Sequence, residues 1–304
     1  MIAIPDLKNI TTDYWDHQDF RENELQVEVL RLDKIHPEIS GNKWFKLKYY
    51  LEKARVENKQ KLISFGGAYS NHLLALAIAA KENGFPSLGF VRGEESACIS
   101  HTLSAARKYG MEIRFLSRAM YNEKKNSLIP GELDETGSDA VLIPEGGAGP
   151  EGLRGAEEIL SFFPSFGYSH ICTATGTGTT LAGLANSAAS HQKIIGVSVL
   201  KGTRDFEPMH ISWIKNKRAL ENVNLIHPDH FGGYAKYTVP LLEFMNRTFI
   251  SSGIPTDFVY TGKLFYSVVR MASAKIFPPG SRILVLHTGG LQGNLSLAPG
   301  LLQF

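Results

Sequence analysis

The sequence predicts an α/β protein built from two open parallel-sheet domains, and three observations predict it. Short apolar runs of strand length end in glycine or a polar turn, helix-length segments separate them, and the rhythm occurs twice along 304 residues. Strand, helix, strand in succession implies parallel sheets with helices on both faces. This length exceeds what one compact core usually needs, so two domains or one large α/β unit is expected.

The elements follow in chain order. LQVEVLRLDKIHPEIS alternates like a pair of short antiparallel strands. SGNKWFKLKYYL, Ser40 to Leu51, comes next and carries Lys43, Lys46 and Lys48 beside Trp44, Phe45, Tyr49 and Tyr50. Lys46 and Lys48 read as helix-surface or secondary charges, Lys46 being the one of the two that could stand near the site. KLISFGG, PSLGFVRG, MEIRFLS and DAVLIPEGG then supply four strands between about Lys61 and Pro144. Between the first two lies SNHLLALAIAAKENG, a helix closed by Gly84. A second set comprises YSHICTATGTG, KIIGVSVL and SRILVLHTGG.

Composition narrows the function classes. A hydrophobic share of 43%, 20% charged residues and a net charge of +2 describe an ordinary globular protein without the basic surface that nucleic acids or membranes require. Two distant cysteines, Cys98 and Cys172, make neither a disulfide framework nor a metal site. MIAIPDLKN lacks a basic segment followed by a long apolar core, and no run has the length of a membrane span, so the cytoplasm is the expected compartment.

In sheets of this kind ligands sit at the carboxyl ends of strands. ATGTGTT places Thr175, Gly176, Thr177, Gly178 and Thr179 between an apolar strand and a small-residue helix. Glycine admits close approach of an anion, and threonine hydroxyls and the helix N-terminus supply donors. The loop lacks the lysine of a nucleotide P-loop, and standing alone it is as readily an ordinary glycine-rich turn. GAGPEG, Gly147 to Gly152, matches a dinucleotide fingerprint but has Pro150 inside the turn and no acidic residue closing the next strand, which argues against a nicotinamide enzyme. In GGAYSNH, Ser70 and Asn71 suit a helix N-cap, and the same helix start suits a carboxylate. LVLHTGG adds a fourth loop with Thr288. A lysine, an anion cradle, a carboxylate-type loop and this fourth loop together suit a phosphate-bearing cofactor whose aldehyde joins a lysine.

SGNKWFKL, GGAYSNH, EGGAGPEGLRG, ATGTGTT, FGGYAKYT, DFVYTGK and HTGG occur in that order along nearly the whole chain. Together they resemble the pyridoxal-phosphate enzymes of the tryptophan synthase β-like fold (fold type II). Within them, they resemble the group containing 1-aminocyclopropane-1-carboxylate (ACC) deaminase and D-cysteine desulfhydrase. The resemblance implies a larger cofactor-binding domain of residues 1–49 and 146–304, a smaller inserted domain of 50–145, and the cofactor in the cleft between them. It implies that Lys43 forms a Schiff base with pyridoxal 5'-phosphate and moves the proton at the substrate α-carbon. Asn71 would face the cofactor's phenolic oxygen, and Ser70, Asn71 and His72 would border the substrate carboxylate. Thr175, Gly176, Thr177, Gly178 and Thr179 would bind the phosphate, and Tyr234 and Tyr260 would line the substrate side. It also implies a small amino-acid substrate and a homodimer, with no metal.

Two departures separate the activities. Bacterial deaminases resemble VYEGK where this chain has VYTGK, so Thr261 stands in place of a glutamate near the pyridine nitrogen. Thr288 stands where deaminases tend to carry leucine. A neutral hydroxyl keeps that nitrogen protonated less well than a carboxylate does, giving a weaker electron sink. Elimination of a thiolate from D-cysteine needs less of one than opening a cyclopropane. The expectation is therefore a D-cysteine desulfhydrase, with ACC deaminase, a lyase on another D-amino acid and a non-catalytic cofactor-binding protein as alternatives.

Overall fold

The computed structural model describes residues 5–39, 41–96, 99–123, 139–200, 212–215, 217–227 and 231–304; Ser40 and Cys98 lie outside these. Ten strands are present among them: β1 Thr12–Tyr14, β2 Gln26–Arg31, β3 Lys61–Gly66, β4 Ser87–Arg92, β5 Met111–Leu116, β6 Ala140–Ile143, β7 His170–Thr175, β8 Lys193–Ser198, β9 Val223–Ile226 and β10 Arg282–His287. They form a four-stranded sheet ordered β5-β4-β3-β6 and a six-stranded sheet ordered β1-β2-β10-β7-β8-β9. Every pairing is parallel except β1 with β2. The expected α/β class with two parallel sheets is the observed one.

The chain divides into two compact units, Lys43–Gly155 and, apart from it, Asp6–Asn42 with Ala156–Phe304. A helix runs unbroken over Asn42–Val56, so a boundary drawn between residues 49 and 50 falls inside it.

In the smaller unit, the central strands β3 and β4 are buried along nearly their whole length, as parallel strands covered on both faces require, while the edge strands β5 and β6 expose part of theirs. Ile63, Phe65, Leu88, Phe90 and Leu116 make one cluster there. The helix Asn71–Glu82 is buried from His72 to Ala80 and ends before Gly84, whose φ of 76° suits glycine. In the larger unit, Ile283 to Leu286 of β10 are fully buried at the sheet centre. Burying each such side chain stabilises by about 1.5–3 kcal/mol.

The opening segment departs from expectation. The antiparallel partner of β2 precedes it, at Thr12–Tyr14, and does not follow it. After Arg31 the chain turns through a short 3-10 helix, Leu32–Lys34. The Arg31 side chain, 6% exposed, folds back onto Asp33 through bonds of 2.9 and 2.7 Å and onto Asp13 at 2.6 Å. A buried guanidinium needs these carboxylates, and satisfying them turns the chain and leaves β2 beside β10.

Candidate active site

The smaller unit gathers basic groups at the ends of its helices. Lys43, half-buried, lies in the first turn of Asn42–Val56. Lys46, one turn on, is only 4% exposed and donates to the Gly146 carbonyl at 3.3 Å. Burial, aided by the Lys43 charge, holds its ammonium well below the ordinary lysine range. Its burial corrects the reading of Lys46 as a helix-surface charge, while its i, i+3 spacing from Lys43 agrees with the alternative of a charge near the site.

Ser70 caps the Asn71–Glu82 helix, accepting from the Leu73 N–H at 3.3 Å. Asn71 and His72 form the first turn, whose N–H groups have no acceptor within the helix. The His72 ring is 2% exposed, with Nε2 2.9 Å from Ser64 Oγ. That hydroxyl donates to the Ile143 carbonyl at 2.8 Å, so it accepts from His72 Nε2–H and leaves Nδ1 as a bare acceptor. Burial first, then Lys43 and Lys46, push the imidazole well below its usual titration range. A neutral ring with a lone pair does not attract a carboxylate, so the feature of His72 suited to one is its backbone N–H.

Gly147 of GAGPEG, and Gly155 in the helix Pro150–Glu157 that begins within it, serve packing. A Cβ on Gly147 would lie 2.9 Å from Lys46 Cβ and 3.4 Å from the His72 ring, and one on Gly155 would lie 1.6 Å from the Phe45 carbonyl. This loop presses against the Asn42–Val56 helix.

The larger unit holds the other residues. β7 ends at Thr175, and Gly178, at φ 73°, turns the chain into the helix Thr179–Ser187. Thr175 and Thr179 are buried, and Thr177 Oγ1 lies 3.3 Å from Thr179 Oγ1. A Cβ on Gly176 would sit 3.4 Å from the Tyr260 ring. The Tyr260 hydroxyl donates to the Tyr234 hydroxyl at 3.1 Å, so these two tyrosines are brought together.

Thr261 begins the helix Thr261–Ser273 and is fully buried. Its hydroxyl donates to Asp257 Oδ1 at 2.7 Å and accepts from the Asp257 N–H at 2.7 Å. Asp257 also accepts from the N–H groups of Val259, Tyr260 and Thr261, capping the helix. Burial raises this carboxyl's pKa, and the bonds from Thr261 and Tyr260 oppose the rise. Lys263, 1% exposed, donates to the Gly233 carbonyl at 2.7 Å. The sequence pattern singled out neither Asp257 nor Lys263, because burial of a charge inside DFVYTGK leaves no periodic mark.

Thr288 follows β10. Its carbonyl accepts from the Asn42 N–H at 3.4 Å, and a Cβ on Gly41 would lie 1.9 Å from that oxygen. Asn42 Nδ2 donates to Thr180 Oγ1 at 2.8 Å. Glycine and asparagine before Lys43 thus have separate physical reasons, a close backbone approach and a buried hydrogen bond.

Comparison with known proteins gives the family. The family described as pyridoxal-phosphate dependent enzyme matches residues 12–289. A Pyrococcus furiosus protein provisionally named 1-aminocyclopropane-1-carboxylate deaminase is 31% identical, over 91% of this chain and 88% of its own. The mitochondrial bifunctional D-cysteine desulfhydrase/1-aminocyclopropane-1-carboxylate deaminase of Arabidopsis thaliana is 28% identical, over 89% of this chain and 74% of its own. A solved ACC deaminase homologue superimposes with a TM-score of 0.79 at 28% identity, covering 96% of this chain and 94% of that one.

The side chains suit such a cofactor. Among the described residues, Thr175 Oγ1 and Asn71 Oδ1 are buried without a hydrogen-bond partner. A buried polar atom left so costs about 1–3 kcal/mol. Thr175 closes a strand leading into a helix N-terminus, the setting that accepts phosphate. No helix among the described residues is long and apolar enough to cross a membrane. The chain belongs to the pyridoxal-phosphate-dependent enzymes, among relatives named for ACC deaminase and D-cysteine desulfhydrase.

Proposed function

We propose that the chain is a D-cysteine desulfhydrase that releases pyruvate, ammonia and hydrogen sulfide. The observation that carries this reading is the neutral side chain at position 261, whose hydroxyl proton is committed to Asp257. A site with a hydroxyl there favours substrates with a good leaving group over a cyclopropane. The relatives' names support ACC deaminase equally, and it stands as the second reading.

Pyridoxal phosphate, when bound, supplies an aldehyde for amine attachment and a ring that withdraws electrons from the α-carbon. Lys43 anchors it and carries the α proton; after burial, its charge is a cause of the lowered pKa of both Lys46 and His72. Ser70 and the N–H groups that open the Asn71–Glu82 helix hold the substrate carboxylate. Asn71 and Thr175 to Thr179 would hold the cofactor, the threonine loop at its phosphate; Tyr234 and Tyr260 would line the substrate side, and Thr261 and Thr288 would border the ring. Loss of the α proton and cleavage of the C–S bond give sulfide and an enamine, which takes up one water to yield pyruvate and ammonia. The reading extends to a homodimer in the cytoplasm.

The test is keto-acid release by the pure, cofactor-loaded protein from D-cysteine, L-cysteine and ACC in parallel. Pyruvate from D-cysteine alone is expected. 2-Oxobutyrate from ACC would overturn the weight placed on Thr261 and Thr288.

A further inference from the structure

The loop that presents Tyr234 is held in a backbone its own residues resist. Phe231 and Ala235 have φ of 50° and 52°, and Gly232 and Gly233 between them have 92° and 112°. Non-glycine residues in the left-handed region are strained and persist where the surroundings fix them. One fixing point is apolar: Phe231 packs with Leu241, Leu242, Met245 and Phe258. The other is polar. Lys263, in the first turn of Thr261–Ser273, extends its buried ammonium 2.7 Å from the Gly233 carbonyl. Burial lowers this lysine's pKa to about 8, with the Asp257 carboxylate opposing the fall.

The same helix start grips the next residue as well. Tyr260, the N-cap, donates to the hydroxyl of Tyr234, which is itself 47% exposed. Adjacent residues of the loop, Gly233 and Tyr234, are therefore held by Lys263 and Tyr260. A hydroxyl bond on a half-exposed tyrosine orders a loop weakly. A bond from a buried cation to a carbonyl is stronger, and losing it strands both groups out of water.

We propose that Lys263 is a positioning residue, whose ammonium holds the 231–235 loop through the Gly233 carbonyl so that Tyr234 keeps its bond to Tyr260. The part of this that concerns turnover rests on the reading of those tyrosines as lining the substrate side; the clamp on the loop does not.

Two readouts on the cofactor-loaded protein test it. Hydrogen exchange of peptides covering 231–238 is expected to quicken at least about tenfold in Lys263→Met, with the 261–273 helix little changed. Lys263→Arg, which keeps a cationic donor, is expected to restore most of the protection. In kinetics, Lys263→Met is expected to lower kcat/KM for D-cysteine about tenfold, and the loss is expected to vanish in a Tyr234→Phe background. Unchanged exchange in 231–238, or losses that simply add in the double variant, would overturn the proposal. Should Lys263→Met not fold, Lys263→Gln, a shorter neutral donor, takes its place with an intermediate exchange rate expected. If the wild type turns over none of D-cysteine, L-cysteine and ACC, the functional reading fails while the exchange comparison still decides the clamp.

Discussion

Gly41 gives the most direct test of how the chain leading to Lys43 is fixed. Its φ is 70°, and a Cβ there would stand 1.9 Å from the Thr288 carbonyl oxygen and 2.6 Å from the Gly289 nitrogen. Both obstacles are backbone, and the Gly41 N–H is held by the Leu32 carbonyl at 2.9 Å, so about 1 Å of retreat must come from one main chain or the other. A left-handed alanine costs about 1–2 kcal/mol and overpacking typically about 1–3, so Gly41→Ala is expected to cost about 2–5 kcal/mol. Gly253→Ala is the control in the same unit: its φ is 68°, yet nothing lies within 4 Å of the new methyl. It should cost only the conformational part, about 1–2 kcal/mol. Urea midpoints of both variants give the comparison, with thermal midpoints as a check at about 2–4 °C per kcal/mol for a domain of 150–250 residues. Equal losses in the two variants would refute the clash argument and leave Gly41 as a turn residue only.

Three further outcomes are expected. His72 has a folded pKa depressed below 6.5 by burial and the two lysines, so the folded state binds fewer protons than the unfolded one and stability falls as pH drops below that value. His72→Gln should flatten this acid slope by up to about 1.4 kcal/mol per pH unit; an unchanged slope in urea midpoints between about pH 7 and pH 5 would contradict it. Thr175→Val removes a buried hydroxyl with no partner, so the cofactor-free protein should be no less stable. Pyridoxal phosphate affinity, read by absorbance titration, should fall about tenfold or more. Lys43→Ala should leave no borohydride-stable adduct by intact mass, whereas Lys46→Ala should leave the adduct at residue 43 in place.

The central strands were legible because parallel strands buried on both faces read as continuous apolar runs closed by glycine or a polar turn. β3, β4, β7, β8 and β10 are such runs, and the edge strands β5 and β6 keep enough apolar residues to be read with them. β1 and β9 were not, since both are edge strands of three and four residues with polar side chains interleaved. Of the candidate site, the strand-end loops announced themselves by glycine and threonine. The buried charges did not: Lys46, Asp257 and Lys263 differ from surface charges only in what packs over them, and those neighbours come from distant segments. Gly41 shows the same limit, since its requirement is set by Thr288 at the other end of the chain.

The two positions read as discriminating between substrates, Thr261 and Thr288, lie on different segments yet share one set of supports. His287, fully buried, donates from Nε2 to the Pro255 carbonyl at 2.6 Å, and its Nδ1 stands 3.1 Å from Asp33 Oδ1. Asp33 is itself clasped by Arg31, whose register partner across the sheet is His287. Asn294 adds a second tie, accepting from the Phe258 N–H and donating to the Thr256 carbonyl. The turn that carries Thr261 and the loop that carries Thr288 are thus pinned to each other through the buried His287 and the half-buried Asn294. Removing one partner of such a hydrogen bond commonly costs about 1–3 kcal/mol, and more for the buried Arg31–Asp33 ion pair. Supports this expensive to break do not shift for one substrate and return for another. In the proposed reading, the choice between D-cysteine and ACC is therefore made by the side chains at 261 and 288 themselves, and by how much charge each presents.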